Sequence, residues 1–278
     1  VCSSDLRQKR GEPDGRLIGL GLAVFSEQTA HGTTADGKRR ALYEQAFARL
    51  TPDGRLDIRV GIQTIGQGLE TTLAQIAVER IGIDISDVHV RLGDTELSPY
   101  STGAWGSRGM VWAGGAVARA CEEIARRVAG IGAALLQTDV ASVEVRDGGV
   151  YGPEGSISIG DIAKSYYLTP ANLPGDTDPR GLETTEGYAP DRLTGIHSGS
   201  AHATVVAVDP ETGSVEILDY VITEDAGTRV NPMIVDGQLY GGAAQGIGTA
   251  LFEEMPYDSQ GQPLASTLAD YLLPGATD

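Results

Sequence analysis

Gly61-Ile62-Gln63-Thr64-Ile65-Gly66-Gln67-Gly68-Leu69-Glu70-Thr71-Thr72 compresses a strand end, a glycine-rich turn and a helix start into one stretch. Upstream, residues 41–50 and 55–63 read as a hairpin joined by Thr51-Pro52-Asp53-Gly54, a turn sequence with Pro and Gly where the chain reverses. Downstream, Leu73, Ile76, Ala77 and Ile81 recur with a helical period over residues 70–81, and Gly82 closes that helix. Hairpins that feed helices through such turns predict an α+β architecture, with small mixed sheets packed against Ala/Gly-rich helices.

The same grammar extends in both directions. Residues 17–27, LIGLGLAVFSE, form a strand with glycines where something approaches closely, and a polar loop follows over 31–40. Residues 88–92 are a short strand that empties into a Gly/Ser/Pro loop over 93–107. Residues 110–137 form a long helix with Val117, Cys121, Ile124, Val128 and Leu135 on one face and Glu122, Glu123, Arg126 and Arg127 on the other. Short strands, a helix near 161–168 and a Pro/Asp/Gly loop fill 142–196, and a domain subdivision is expected near 140–196. Residues 197–208 and 215–225 form a second hairpin, across Asp209-Pro210-Glu211-Thr212-Gly213. Asn231-Pro232 then opens a small-residue helix through Gln238, Gly242 and Gln245 to about Phe252, with Pro in the first turn, where its missing N–H costs nothing. No solenoid-type repeat is present.

Composition bounds the function. The chain has 278 residues, 41% hydrophobic and 21% charged, values of a globular protein with a sizeable core. Its net charge is −17, and no stretch gathers the Lys and Arg that a nucleic-acid surface needs; Lys38-Arg39-Arg40 reads as a solvated loop. No run approaches the ~18–20 apolar residues that cross a bilayer, so no membrane span is expected, and the chain is assigned to the cytoplasm. Residues 1–6 lack an initiator Met and read as a ragged start. With two cysteines, Cys2 and Cys121, the chain can hold neither a disulfide framework nor an iron–sulfur cluster, which takes about four. His31, His89, His197 and His202 show no metal-ligand spacing.

Three segments combine Gly with an amide or hydroxyl. The Gly66-Gln67-Gly68 turn leaves backbone N–H groups free at a helix start; it can bind an anion or be only a tight corner, and Gln67 is the residue a corner has no steric reason to need. Ser101-Thr102-Gly103-Ala104-Trp105-Gly106-Ser107-Arg108-Gly109, preceded by Gly93-Asp94-Thr95, runs directly into the long helix. It offers a hydroxyl, a guanidinium and glycines to a phosphate, while Ser107 can equally be an N-cap. The third segment, residues 231–248, carries Gly237, Gly241, Gly242, Gly246 and Gly248, each costing roughly 1 kcal/mol relative to Ala in a helix. Either close packing or a large ligand must offset that cost. Gln238 and Gln245 are two turns apart on one face of it.

In this order and at these separations, the three segments resemble the molybdopterin-binding large subunit of the xanthine dehydrogenase/aldehyde oxidase family of molybdenum hydroxylases, which includes carbon-monoxide dehydrogenases. Glu253-Glu254, Tyr257-Asp258 and Asp270-Tyr271-Leu272-Leu273-Pro274 extend the likeness over residues 7–278, an incomplete second molybdopterin-binding region. Leu69 stands where bacterial members often carry His. The resemblance implies that Gly66, Gln67 and Gly68, with Ile65 beside them, bond the pterin and its phosphate arm. It implies that Ala104, Trp105, Gly106, Ser107, Arg108 and Gly109 cradle the phosphate or pyranopterin edge, and that Gln245 sits beside molybdenum.

The implied cofactor is molybdopterin with molybdenum, in the plain or cytosine-dinucleotide form, oxidising or hydroxylating a small-molecule substrate with water-derived oxygen. The metal is then held by the pterin's sulfurs, and no protein metal ligand is expected. Electrons would pass to an iron–sulfur subunit and onward to an FAD subunit, in a dimer of heteromers. The family's general base, a Glu in a Lys-Gly-Xaa-Gly-Glu motif, is expected beyond Asp278, so no catalytic residue is expected within this chain. A non-catalytic scaffold that keeps the fold without metal is the alternative. A nucleotide-binding oxidoreductase would need GxGxxG after a strand, which GQGLET does not supply.

Overall fold

Period-two apolar stretches become strands and 3.6-period stretches become helices. In chain order these are β1 (Leu17–Thr29), β2 (Glu44–Leu50), β3 (Leu56–Val60), α1 (Leu69–Ile81), β4 (Val88–Leu92) and α2 (Gly114–Leu135). There follow β5 (Glu144–Arg146), β6 (Gly149–Gly152), β7 (Gly155–Ser158), α3 (Ile159–Leu168), β8 (Glu183–Tyr188), β9 (Ile196–Val208), β10 (Val215–Asp225) and α4 (Pro232–Leu251). The computed structural model describes residues 7–30, 44–190 and 196–277. Residues 1–6 with Cys2, His31 and the Lys38-Arg39-Arg40 cluster lie outside the described residues. The mixture of small sheets and helices is the α+β architecture expected. No helix among the described residues is long and apolar enough to cross a membrane.

The chain divides into two compact units, Gln28–His197 and a second made of Val1–Glu27 with Ser198–Asp278. Residues 140–196 lie wholly inside the first of these.

In Gln28–His197 a four-stranded sheet has the order β4-β3-β2-β8. The expected hairpin pairs β2 with β3 antiparallel, from Leu50 opposite Leu56 to Ala46 opposite Val60. β4 lies parallel to β3, with Val60 level with Leu92, so α1 is the crossover of a βαβ unit. β2 alternates buried and half-buried residues along its length, which gives the sheet one dry face and one wet face. Ala46, Ala48, Leu50, Leu56, Ile58 and Val60 form the dry face and are fully buried against Leu73, Ala77 and Ile81 of α1 and Val117, Cys121, Ile124 and Val128 of α2. Each buried Leu, Ile or Val contributes about 1.5–3 kcal/mol. Small residues set the spacing. A Cβ on Gly115 would collide with the Tyr188 ring of β8, and one on Gly132 would lie 2.8 Å from Val150 of β6. β5, β6 and β7 form a separate antiparallel meander, and Ser158 caps α3 by accepting from Asp161 N–H.

Two details of the long helix depart from the sequence reading. Its first turn, Gly109–Ala113, is π-helical, and the α-helix begins only at Gly114. Arg127, assigned to the solvent face, is buried: its guanidinium donates to Glu123 and to the carbonyls of Gly181 and Glu183, which pin the entry to β8 onto α2. Hydrogen bonds from Arg126 and Arg127 hold the Glu123 carboxyl down at about 2.

In the other unit, β9 and β10 pair antiparallel from Val208–Val215 to Gly199–Asp225, with a bulge between Ile217 and Asp219, and β1 adds to β9. Asp209 accepts from Glu211 N–H at 2.8 Å, and Gly213 takes a left-handed φ of 76°, closing the predicted turn. α4 begins where Asn231-Pro232 places it: the Asn231 side chain accepts from Ile234 N–H at 3.2 Å. Beyond it the chain folds back, and the Tyr271 hydroxyl donates to Glu253.

Candidate functional site

The C-terminal ends of β3 and β4 are adjacent, and the first two glycine-rich segments leave from them. In a parallel pair this edge carries free backbone groups and is where ligands collect. The two segments are in contact. A Cβ on Gly61 would strike the Pro99 carbonyl and lie 2.7 Å from Ser101, and Gly103, at φ 84°, has Gln63 Oε1 3.2 Å from where its Cβ would be. A Cβ on Gly109 would be 3.7 Å from Leu69 at the start of α1. Gln63, which the sequence reading left without a role, is the exposed residue against which Gly93 and Gly103 of the loop pack.

Within the turn, Gly66 (φ 97°) and Gly68 (φ 73°) both adopt left-handed conformations, which is why glycine brackets Gln67. Gln67 is bound into the turn: its Oε1 accepts from Ile65 N–H at 2.8 Å and from the Thr64 hydroxyl at 3.2 Å. The expectation that the turn has no need of this amide is thus corrected for the carbonyl end, while its NH₂ donates to no described residue. Gly68 is the N-cap of α1 and supplies no side chain to the helix's first-turn N–H groups. Those donors and the positive end of the helix dipole face outward beside Gly66, which is exposed. Ile65 is 77% exposed.

The loop is held from beneath. Arg108 is fully buried and donates to Glu44 Oε2 at 2.8 Å and to Gly103 O at 2.9 Å, between the rings of Trp105 and Trp112. Ser101 also donates to Glu44 Oε2, at 2.8 Å. The Arg108 guanidinium therefore anchors the loop and is not presented at its surface, and what the loop offers outward comes from backbone and the exposed Ser107 hydroxyl. Ser107 does not cap the helix. It sits at φ 53° after Gly106 at φ 56°, a tight left-handed step, and both residues are exposed with their N–H groups bonded to no other described residue. The step is tied down by Ala30, itself at φ 50°, whose N–H donates to Gly106 O at 2.7 Å. Ala104, Trp105 and Gly109 are half-buried around it.

Glu44 and Ala30 were missed from the sequence. For Glu44 a signal existed: Glu44, Ala46, Ala48 and Leu50 share the inward face of β2, and a carboxylate there requires a cation. Ala30 offered none.

Gln245 stands in the other unit, exposed on α4. Nothing among the described residues comes within 4 Å of a Cβ added at Gly237, Gly241, Gly242 or Gly246. Their helix cost is therefore not offset by packing among the described residues. Among the described residues no group of three or more His, Cys, Asp or Glu side chains is arranged to hold a metal ion. Burial pushes the Cys121 thiol up to about 12, so it remains an inert core group.

A family model described as a molybdopterin cofactor-binding domain matches residues 3–278. The nicotine 6-hydroxylase large subunit of Paenarthrobacter nicotinovorans is 34% identical over 274 residues, covering 96% of this chain and 33% of that protein. The carbon monoxide dehydrogenase large chain of Hydrogenophaga pseudoflava is 34% identical over 277 residues, covering 97% of this chain and 34% of that protein. The crystal structure of quinoline 2-oxidoreductase from Pseudomonas putida 86 superposes with a TM-score of 0.89 at 35% identity, over 99% of this chain and 35% of that one. The chain spans about a third of the length of the curated relatives it matches.

Proposed function

This chain belongs to the molybdopterin cofactor-binding domain family of the molybdenum hydroxylases, and from that membership we propose that it holds part of a molybdopterin in an enzyme that oxidises or hydroxylates a small molecule. The observation that carries the reading is the junction at the ends of β3 and β4. There the Gly66-Gln67-Gly68 turn with its uncapped helix start leaves one strand, and the loop that carries the left-handed Gly106-Ser107 step leaves the other. Their free N–H groups suit a phosphate-bearing ligand with a polar ring system, and glycine leaves room for its backbone-close approach.

The first-turn N–H groups of α1 and the Gln67 NH₂ would bind the pterin and its phosphate arm, with Ile65 alongside. The backbone of Ala104, Trp105, Gly106, Ser107, Arg108 and Gly109 would cradle the phosphate or ring edge, fixed in place by the Arg108–Glu44 pair. Gln245 would lie beside the metal as an amide donor. When bound, the cofactor supplies two-electron oxidation with oxygen drawn from water. The residues named here bind, orient and exclude water; none of them moves a proton. The cofactor would be held in the plain or the cytosine-dinucleotide form.

Electrons would leave to an iron–sulfur subunit and then to an FAD subunit, in a cytoplasmic dimer of heteromers. The designations of the relatives as a large subunit and a large chain support a multi-subunit setting. The test is metal analysis of the full-length protein that contains this chain. Near-stoichiometric molybdenum, with a pterin released on acid treatment, is expected; a folded protein free of molybdenum would favour the scaffold reading instead.

A further inference from the structure

We propose that the outer face of the four-stranded sheet is an oxyanion-binding site, one that takes a phosphate group between Arg49, Arg55, Arg59 and Arg91. The proposal does not rest on the molybdopterin reading, because Arg49, Arg59 and Arg91 lie on the wet face of the sheet, Arg55 enters from the β2–β3 turn, and none of the four belongs to a glycine-rich segment.

Register builds the cluster. Arg49 lies opposite Asp57 on the antiparallel β2–β3 pair, and Asp57 and Arg59 lie level with His89 and Arg91 on the parallel β3–β4 pair. Arg55 enters from the turn. Together with Thr51 and Asp53 they line a concavity of about 370 Å³. Its wall holds four arginines against two aspartates, with Glu183 a third carboxylate 3.8 Å from Arg49, in a chain that carries 21 basic residues to 38 acidic ones. The sign of the local charge is thus the reverse of the protein's.

The cations are also under-used. Asp57 is the shared partner: its Oδ2 accepts from Arg59 at 2.6 and 3.0 Å and from Arg49 at 3.4 Å, while Arg91 approaches Oδ1 only to 3.8 Å. Three guanidiniums therefore converge on a single carboxylate. Arg55 reaches Asp53 at 3.6 Å, outside hydrogen-bond range. Among the described residues, the side chains of Arg49, Arg55 and Arg91 make one hydrogen bond between them, the long one to Asp57, and Arg49 Nε is buried without a partner. Cations held close with unspent donors repel one another, and an oxyanion relieves that repulsion while accepting several charge-assisted bonds at once. Phe47 lies under both Arg49 (5.6 Å) and Arg59 (5.1 Å) and restricts their planes, so less side-chain entropy is lost on binding.

The experiment is calorimetric titration of the full-length protein with inorganic phosphate at low ionic strength, repeated with a 5′-nucleoside monophosphate. Arg55→Gln with Arg91→Gln is the test variant, because both side chains are 58% exposed and make no hydrogen bond that the fold needs. Arg126→Gln with Arg146→Gln is the control of equal charge. Saturable binding that weakens about tenfold or more in the test variant, fades with salt and survives in the control supports the site. Tighter binding of the nucleotide than of phosphate assigns the phosphate to a nucleotide; equal binding assigns it to the free ion. No saturable binding overturns the proposal. So does equal weakening in both variants, or tighter binding of a glutamate-rich peptide than of either phosphate compound.

Discussion

The Arg108 guanidinium and the Glu44 carboxylate meet at 2.8 Å with both side chains fully shielded from solvent. One residue belongs to the loop that leads into α2 and the other to the first position of β2, so the pair ties the loop to the sheet beneath it. A buried pair of this kind is weak evidence for stability in itself, but removing one partner strands the other.

Glu44→Ala is therefore expected to destabilise the fold by about 3–5 kcal/mol. Glu44→Gln keeps the shape and an acceptor and should cost less, leaving a folded protein whose loop is poorly fixed. Urea unfolding measures the first effect. The second appears as molybdenum lost from the folded full-length Glu44→Gln protein. Wild-type metal content in that variant would show that the loop needs no anchor.

Gln67 separates two roles by its two amide ends. Gln67→Glu keeps an oxygen for Ile65 N–H and Thr64 but replaces the NH₂ with a second acceptor. Its melting temperature is expected to stay near wild type, while cofactor retention falls, because a carboxylate faces a phosphate-bearing ligand with no donor. Gln67→Ala should lose both, with a stability cost of about 1 kcal/mol for the turn bond. Equal molybdenum content in Gln67→Glu and wild type would refute the role of the NH₂ end.

The sequence shows where backbone is bent and which faces are wet, because period and glycine placement carry that information locally. The β2–β3 hairpin, the β9–β10 hairpin, the Gly82 cap and the Asn231-Pro232 helix start were all legible for that reason. Partners distant in sequence were not. Arg108 looked like a phosphate donor because its buried partner is 64 residues upstream. Arg127 looked solvated because the carbonyls it binds lie more than 50 residues downstream. Ser107 looked like a cap because its left-handed φ, unusual for a non-glycine residue, has no residue-type signature.

The glycines of α4 make opposite forecasts in two contexts. In this chain alone nothing described lies within 4 Å of a Cβ on Gly241 or Gly242, so Gly241→Ala and Gly242→Ala should each stabilise the helix by roughly 0.5–1 kcal/mol. In the full-length protein the same changes should lower metal content or stability if the open face receives a ligand or another segment. Circular dichroism melts of the chain and molybdenum analysis of the full-length variants check the two halves. A gain in both contexts would mean that the glycines serve neither packing nor ligand.

The 278-residue chain by itself is expected to show no turnover. General-base catalysis contributes typically 10²–10⁴-fold, so a base must be found or the reaction is lost. Four carboxylates near the glycine-rich segments, Glu44, Glu70, Glu253 and Glu254, are otherwise engaged or badly placed. Glu44 lies beneath the loop but is fully buried on Arg108 and Ser101. Glu70 is exposed in the first turn of α1, where its charge favours the helix dipole and would repel a phosphate. Glu253 follows the C-terminal end of α4, at the far end from Asn231, and accepts from Tyr271, and the adjacent Glu254 is exposed. The Lys-Gly-Xaa-Gly-Glu segment expected from the resemblance to carry the base does not occur in this sequence, and the chain corresponds to about a third of its curated relatives. Expression of this span beside the full-length protein, each supplied with cofactor and assayed with a dye acceptor, decides the matter. Turnover by the full-length protein alone is expected. Turnover by the short span would place the base within these residues, and Glu70 and Glu44 would then be the first to be replaced by Gln.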